Sequence, residues 1–353
     1  MDRSDKFAWD QVTHAFGPAV DVPGWITGLR DPALAAECLG ELYGSISHQG
    51  TRYSATAPCI PYLVEAARDR SVADRVSVVF LIQFCAMGYS GDSLDWQSQR
   101  DLQVGRHERA AWDAVVAGHE HLRELLDEPD RGLVGAALTL LAWTGDASAE
   151  VLTAIRTAVG SADERGQCAG WLASVVLGQL PPGLAAPVDL TQLSGAGRFG
   201  AAVAAIRFAG TAAPPEAVDE LCTIFASIDA GKGLTACEFL MPEIPERVAA
   251  AALGDVPAHL RDHANAQLLA AINRGFVLGY EPLRAYLRLN LGKPGGPGWR
   301  PADREKVRDA LGALHDPLDS WGSAPTMDHR IYELEEYGLP GRRYEFAAWL
   351  RNA

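Results

Sequence analysis

Lysine is scarce in this chain, and acidic residues outnumber basic ones. Only four of the 31 Lys and Arg residues are lysines, and 45 Asp and Glu residues bring the formal net charge to −14. Proteins that bind nucleic acid usually present a basic surface, because they release counterions from the phosphate backbone. The acidic excess therefore argues against duplex DNA or RNA as a partner and favours a neutral or basic one.

Long hydrophobic runs are absent as well. The most apolar stretch, residues 76–87, is twelve residues long and is interrupted by Gln83, whereas a membrane-spanning helix needs about 20 residues. The first residues, MDRSDKFAWDQ, are charged and do not resemble a secretory signal. We therefore expect a cytoplasmic protein without a membrane partner.

Paired cysteines and cofactor motifs are missing too. Six cysteines lie far apart beside apolar residues, which predicts buried, reduced thiols. No GxGxxG opens a helix after a strand, and no GxxxxGK[ST], GxSxG or HExxH occurs. His119 and His121 would diverge around a helix, whereas the i, i+4 spacing of His259 and His263 is a weak signal for a chelating pair. The sequence therefore predicts no cofactor and no metal.

An internal repeat dominates the middle of the chain. Three segments align on an acidic residue followed by Arg, at 74–75, 130–131 and 164–165, and each ends in a glycine. Counted from each Arg, small or apolar residues recur at +3, +4, +6, +7, +10 and +11. This spacing predicts helices whose apolar stripe is wider than a surface helix needs, each ended by a left-handed glycine. These closing glycines are Gly88, Gly145 and Gly178.

Second helices are predicted between the repeat segments, and weaker copies of the segment start at Arg198 and Arg261. The second helices are expected at 58–67, 149–159 and 215–225, and several of them open with proline. Alternating strand patterns are nearly absent. The sequence therefore predicts an all-α fold of stacked helix hairpins, which bury their faces against neighbours on both sides.

The repeat resembles HEAT repeats, in which an acidic residue and Arg precede small and aliphatic residues in the second helix of a hairpin. The resemblance covers about residues 55–290. The segment 41–58, which contains HQGTRY and then ATAP, looks like the opening of HEAT-repeat proteins common in actinobacteria. The resemblance implies a right-handed α-α superhelix, that is, a HEAT-like solenoid of antiparallel hairpins, and it implies no single activity.

This organisation divides the chain into three parts. We expect capping helices at 1–54, repeats at 55–290 with a polar insertion at 89–107, and a Gly/Pro loop followed by capping helices at 291–353. A further break, rich in proline and glycine, is predicted at 181–197. One long helix is expected at 108–128, and the helices of the C-terminal part at 302–315 and 344–352.

The HQGTRY segment concentrates functional groups between two predicted helices. His48 could act as a general acid or base and Tyr53 as a hydrogen-bond donor, which makes them the candidate catalytic residues. The neighbouring candidate binding residues are Gln49, Thr51 and Arg52. The alternative is that the segment caps the helix ends, with Thr56 as the N-cap of the next helix.

The polar insertion could cover a binding surface. It carries Trp96, and it could enclose a pocket with aromatic and imidazole side chains from the helices that follow. The candidate binding residues here are Trp96, Arg100, His107, Trp112 and Trp171. The alternative is a solvated surface loop with one aromatic anchor.

Three functions follow from these features. The favoured hypothesis is a binding scaffold whose concave face engages a peptide or protein partner. The alternative is an enzyme or maturation factor that acts on a peptide or a small-molecule natural-product intermediate in a pocket near His48, Tyr53 and the insertion. A HEAT-like DNA glycosylase is a remote third hypothesis, since the bulk charge has the wrong sign.

Overall fold

The computed structural model describes residues 7–88, 94–186, 189–226, 234, 245–273, 280–294, 299–313, 334–340 and 343–351. These residues are mostly helical, so the predicted all-α class is confirmed. Their strands, β1 (Thr13–His14) and β2 (Gly17–Pro18), pair as one short antiparallel hairpin. None of the described helices is long and apolar enough to cross a membrane.

The described residues form two compact units, one up to Leu184 and one from Ala185 onward. The first unit contains α1 (Val22–Gly28), α2 (Ala35–Ile46), α3 (Thr56–Arg68), α4 (Arg75–Met87), α5 (Trp96–Leu102), α6 (Arg106–Ala117), α7 (His119–Arg123), α8 (Arg131–Trp143), α9 (Ala149–Val159) and α10 (Glu164–Leu177). The second contains α11 (Gly195–Phe208), α12 (Pro215–Thr223), α13 (Pro245–Leu253), α14 (Arg261–Asn273), α15 (Tyr280–Leu291), α16 (Arg304–Gly312) and α17 (Arg343–Arg351). The boundary between the units falls within the break predicted at 181–197.

Within each unit a helix packs both against the next helix in the sequence and against helices two to four positions away. In the first unit α3 packs against α4 and α6, α4 packs against α8, and α8 and α9 both pack against α10. In the second unit α11 packs against α12 and α13, and α14 packs against α12 and α15.

The three repeat segments form α4, α8 and α10, and their predicted stripes are buried. Val134 is the one stripe residue that is only half-buried. The helices begin at N-cap carboxylates: Asp74 accepts a hydrogen bond from Ser77 N (3.0 Å), and Asp130 accepts one from Gly132 N (2.9 Å). In the third segment the N-cap lies one residue before the aligned pair, since Asp163 caps α10 and Glu164 already lies in the helix.

Glycine with a positive φ closes all three repeat helices, as the sequence predicts, although Gly88, at ψ −135°, lies outside the left-handed helical conformation that Gly178 adopts. The φ angles are +65° at Gly88, +82° at Gly145 and +67° at Gly178. After α8, Gly145 N donates to Ala142 O and Asp146 N to Leu141 O, so the last carbonyls of the helix are satisfied.

Removal of an N-cap carboxylate should destabilise the first unit. In Asp130→Ala the N–H groups of Gly132 and Leu133 lose their acceptor, and we expect a loss of about 1 kcal/mol in the free energy of unfolding. Asp130→Asn is the matched control, since asparagine caps almost as well. Urea unfolding followed by circular dichroism measures both. Equal stability of the alanine variant and the native chain would show that the cap contributes nothing.

Two sequence predictions need correction. The helix expected at 108–128 is broken into α6, α7 and a 3₁₀ turn at Glu124–Asp127, because the chain leaves the α-helix at Gly118. The predicted insertion holds a helix, α5, whose N-cap Asp95 accepts hydrogen bonds from Gln97 N and Ser98 N. Residues 89–93 of the insertion lie outside the described residues.

The predicted buried, reduced thiols are confirmed for five cysteines: Cys38, Cys59, Cys85, Cys168 and Cys222. Burial raises the pKa of Cys85 to about 12, which keeps this thiol protonated and unreactive at neutral pH. Cys237 lies outside the described residues.

Candidate functional site

A groove of about 900 Å³ lies in the first unit between α8, α9 and the start of α10. It exists because α8 and α9 both pack against α10 but contact each other only lightly. We call it the α8–α10 groove, and its lining residues are Arg123, Leu126, Asp127, Arg131, Gly132, Val134, Gly135, Leu138, Ala149, Glu150, Thr153, Ala154, Thr157, Ala158, Ser161, Asp163, Arg165, Gly166 and Ala169.

The floor of the groove is one face of α8. Arg131, Val134, Gly135 and Leu138 follow each other at i, i+3, i+4 and i+7, so their side chains share that face. The last three belong to the apolar stripe that the sequence predicts. The sequence predicts that neighbouring helices bury this whole stripe, so the half-buried Val134 on the floor of the groove departs from that prediction. The sequence predicts α9 as a helix at 149–159, but it did not indicate that Glu150 and the residues after it form a wall of the groove.

The charges around the groove differ in how well they are compensated. Arg123 Nε donates to Asp146 Oδ2 (2.9 Å), and Asp163 accepts from Gly166 N (3.2 Å) as the N-cap of α10. Among the described residues, the exposed side chains of Asp127, Arg131 and Glu150 have no ion-pair or hydrogen-bond partner. The groove therefore presents two uncompensated carboxylates and one uncompensated guanidinium.

The described side chains that line the groove include no histidine, cysteine or aromatic residue. Small-molecule sites are mostly lined by hydrophobic and aromatic side chains and enclose most of the ligand. Here the α9 wall is open to solvent at Ala149, Thr153 and Thr157. The lining of this groove therefore differs from that of an enclosed small-molecule pocket.

A buried hydrogen-bond network fixes Arg123 beside the groove. His119, 9% exposed, contacts Thr144 Oγ1 through Nε2 (2.8 Å). The Thr144 hydroxyl donates to Leu140 O (2.7 Å), so it accepts from His119 and the proton resides on Nε2. His119 Nδ1 then faces Asp146 Oδ2 at 3.7 Å, and the same carboxylate holds Arg123.

The stability of this network should depend on pH. Burial lowers the pKa of His119 below its usual range, and the charge of Arg123 acts in the same direction while that of Asp146 opposes it. The unfolded chain therefore takes up this proton more readily, so the stabilisation is present above the unfolded pKa near 6.5 and is lost as the pH falls through the folded pKa.

We expect the free energy of unfolding to fall between pH 7 and pH 5 in the native chain, and to fall less in His119→Gln. His121→Gln is the matched control, because His121 is exposed two residues further on. Chemical unfolding at a series of pH values measures the slopes. Identical slopes for the native chain and His119→Gln would contradict the assignment of this pH dependence to His119.

The HQGTRY segment lies between α2 and α3 and does not line the groove. The His48 ring donates from Nδ1 to Gly44 O (2.8 Å), which leaves Nε2 as the basic nitrogen, and the Phe16 ring lies 5.5 Å away, edge to face. Gln49 is exposed at φ +51°. Thr51 is exposed as well, and its backbone N donates to His48 O.

Tyr53 and Thr56 show that part of this segment is structural. Tyr53 N donates to Thr56 Oγ1 (2.8 Å), and the Thr56 hydroxyl donates to Ile46 O. The prediction that Thr56 is the N-cap of α3 is wrong in detail, since the N-cap is Ala55 and Thr56 links the two helices instead. The catalytic roles of His48 and Tyr53 stay predictions.

Arg52 is buried rather than presented to solvent. The residue is 8% exposed, and its guanidinium donates to Gly50 O and to Gln103 Oε1. Gln103 Nε2 in turn donates to Gln99 O (2.9 Å). Burial lowers the pKa of Arg52, and the charge of Glu108 counteracts this. Arg52 therefore ties the HQGTRY segment to the end of α5.

The other candidate binding residues are spread over α5, α6 and α10, and none of them lines the groove. The Trp96 ring covers Gly145, because a Cβ atom there would lie 2.5 Å from Trp96 Cε3. Arg100 is exposed, and His107 is half-buried in the first turn of α6. Trp112 and Trp171 are only 2% and 3% exposed and belong to the core.

The two histidines of the second unit that the structure describes, His259 and His263, contact separate partners. His259 Nε2 donates to Ala213 O (3.0 Å), and His263 Nε2 contacts Asp219 Oδ1 (2.7 Å). Among the described residues no group of three His, Cys, Asp or Glu side chains is placed to hold a metal ion.

Comparisons with family models, with curated proteins and with solved structures found no match to this chain.

Proposed function

We propose that this chain is an α-solenoid binding scaffold and that the α8–α10 groove engages a peptide segment of a protein partner. The solenoid arrangement is supported by the three repeat helices, which share an N-terminal carboxylate cap, a buried stripe and a closing glycine. Repeat proteins of this kind offer surfaces between helices rather than a fixed catalytic chemistry.

One observation carries the binding function. The floor of the groove is a helix stripe of the kind that is buried elsewhere in the repeat, and at Val134, which is only half-buried, it faces the open groove instead. Apolar surface is stabilised when it is removed from water. A partner that inserts small apolar side chains there would cover it.

Site-specific crosslinking tests this proposal. A photo-reactive benzoylphenylalanine replaces Thr153, which is exposed on the α9 wall of the groove. The same replacement at Arg156 is the matched control, since Arg156 is exposed on α9 outside the groove. In the native host we expect a discrete protein adduct from position 153 and not from 156. The same adducts from both positions, or none from either, would overturn the proposal.

The second candidate function is an enzyme with His48 as its base. It is favoured by the hydrogen bond from Nδ1 to Gly44 O, which leaves Nε2 free to accept a proton. If this function is correct, His48→Ala and Tyr53→Phe should each abolish turnover of the substrate and leave the thermal unfolding midpoint nearly unchanged. A loss of several degrees in both variants would assign the segment a structural role only.

A further inference from the structure

We infer that the occupant of the α8–α10 groove is an amphipathic α-helix of a partner protein, with a stripe of small or aliphatic residues flanked by Lys and Arg. This inference rests on the proposed function and names the chemical class of the partner. It follows from three properties of the lining: its hydrogen-bonding capacity, its side-chain size and its charge.

The lining offers few hydrogen-bonding groups to an extended peptide. Its walls are helices, whose backbone N–H and C=O groups are mostly bonded within the helix. The Thr157 hydroxyl already donates to Thr153 O (3.0 Å), and the Ser161 hydroxyl donates to Ala158 O (2.8 Å). An extended segment would therefore bury unpaired backbone groups, which is unfavourable. A helix satisfies its own backbone and avoids this cost.

Small residues on floor and wall allow the close approach of a helix. Gly132 and Gly135 lie on α8, and Ala154 and Ala158 lie on α9 one turn apart. Helices that pack through small side chains reach interaxial distances near 8–10 Å. The α9 wall is 11 residues long, about 16 Å at 1.5 Å per residue, and thus accommodates about three turns of a partner helix.

The uncompensated charges of the lining determine which sign of charge the partner should carry. Asp127 lies in the 3₁₀ turn at Glu124–Asp127, and Glu150 lies on α9. Arg131 is the one uncompensated cation among the described lining residues. Two carboxylates against one guanidinium favour positive side chains beside the apolar stripe. The net charge of −14 on the whole chain acts in the same direction at longer range.

A peptide-display selection separates the class of the partner from the existence of the site. Random 16-residue peptides are selected on the purified chain and counter-selected on Thr153→Trp, which fills the groove from an exposed position on its wall. Arg156→Trp is the matched control, because this exposed position on the same helix lies outside the groove.

We expect enriched peptides with apolar residues at i, i+3, i+4 and i+7 and a net positive charge. Synthetic copies should gain helical circular dichroism on binding. Their affinity should fall at least tenfold with Thr153→Trp, at least threefold with Asp127→Asn plus Glu150→Gln, and less than twofold with Arg156→Trp.

Groove-dependent peptides that are extended, proline-rich or acidic would overturn this inference and leave the proposed function intact. A selection that enriches no peptide sensitive to Thr153→Trp would overturn both.

Discussion

Replacement of Gly88 with alanine should destabilise the first unit by about 3 kcal/mol or more. Gly88 ends α4 at φ +65° and ψ −135°, close to the mirror image of the β region, which glycine adopts readily and other residues do not. A Cβ atom there would overlap with Arg52 Nη1 and lie 3.0 Å from Gly50 O. Because the buried guanidinium is held by Gly50 and Gln103, it cannot move aside without breaking those hydrogen bonds.

Gly178→Ala is the matched control for this prediction. Gly178 ends α10 at a similar φ of +67°, with ψ +21°, and a Cβ atom there would meet nothing within 4 Å. The added methyl group meets no steric overlap there, so only the unfavourable left-handed backbone conformation of alanine remains. We therefore expect a loss of about 1 kcal/mol in the free energy of unfolding. Urea unfolding of both variants gives the comparison. If Gly88→Ala loses no more than Gly178→Ala, the tight contact between Gly88 and Arg52 does not exist.

The second large effect is expected at Arg52 and Gln103. Arg52→Met should reduce the free energy of unfolding by about 3 kcal/mol, since it leaves Gly50 O and Gln103 Oε1 buried without this donor. Gln103→Leu should cost about 2 kcal/mol, because the buried guanidinium then loses an acceptor.

The double variant Arg52→Met/Gln103→Leu separates the energy of the contact between the two side chains from the contribution that each side chain makes alone. Once both polar partners are gone, neither leaves the other unpaired, so the double variant should lose about 1–2 kcal/mol less than the sum of the single losses. Additive losses would contradict a direct contact. If Arg52→Met instead has normal stability but no longer binds the partner, Arg52 is a ligand contact, which is the role that the sequence suggested.

The burial of Arg52 has a physical explanation that the sequence alone does not contain. Gly88 is the C-cap of α4 and Gln103 is the C-cap of α5, so the guanidinium lies near two helix C-termini. The negative ends of the helix dipoles compensate part of its charge. Gln103 is 51 residues from Arg52 in the chain, and no local pattern connects them.

Local signals made the helices predictable. A carboxylate cap, a stripe at helical spacing and a closing glycine lie within about four turns, so α4, α8 and α10 could be placed from the sequence. One failure was local as well: the break at Gly118 lies within a sequence pattern that otherwise predicts one continuous helix.

The groove could be predicted only in part. Its floor follows from the stripe on α8, but the openness of that face depends on how α8 and α9 both pack against α10, which is a property of the tertiary structure. The polar candidates at 48–53 and in the insertion were chosen for their chemistry. Arg52 and Trp96 contact other parts of the first unit, which the sequence could not indicate.

Hydrogen exchange with and without a bound peptide tests the central claim most directly. With a selected groove-dependent peptide at saturation, we expect slower amide exchange in peptic fragments that cover 131–138 and 149–161, where the floor and wall of the groove lie. Fragments that cover α2 and the HQGTRY segment should exchange at an unchanged rate. Protection confined to residues 44–56, with none at 131–138 or 149–161, would contradict the groove as the binding site.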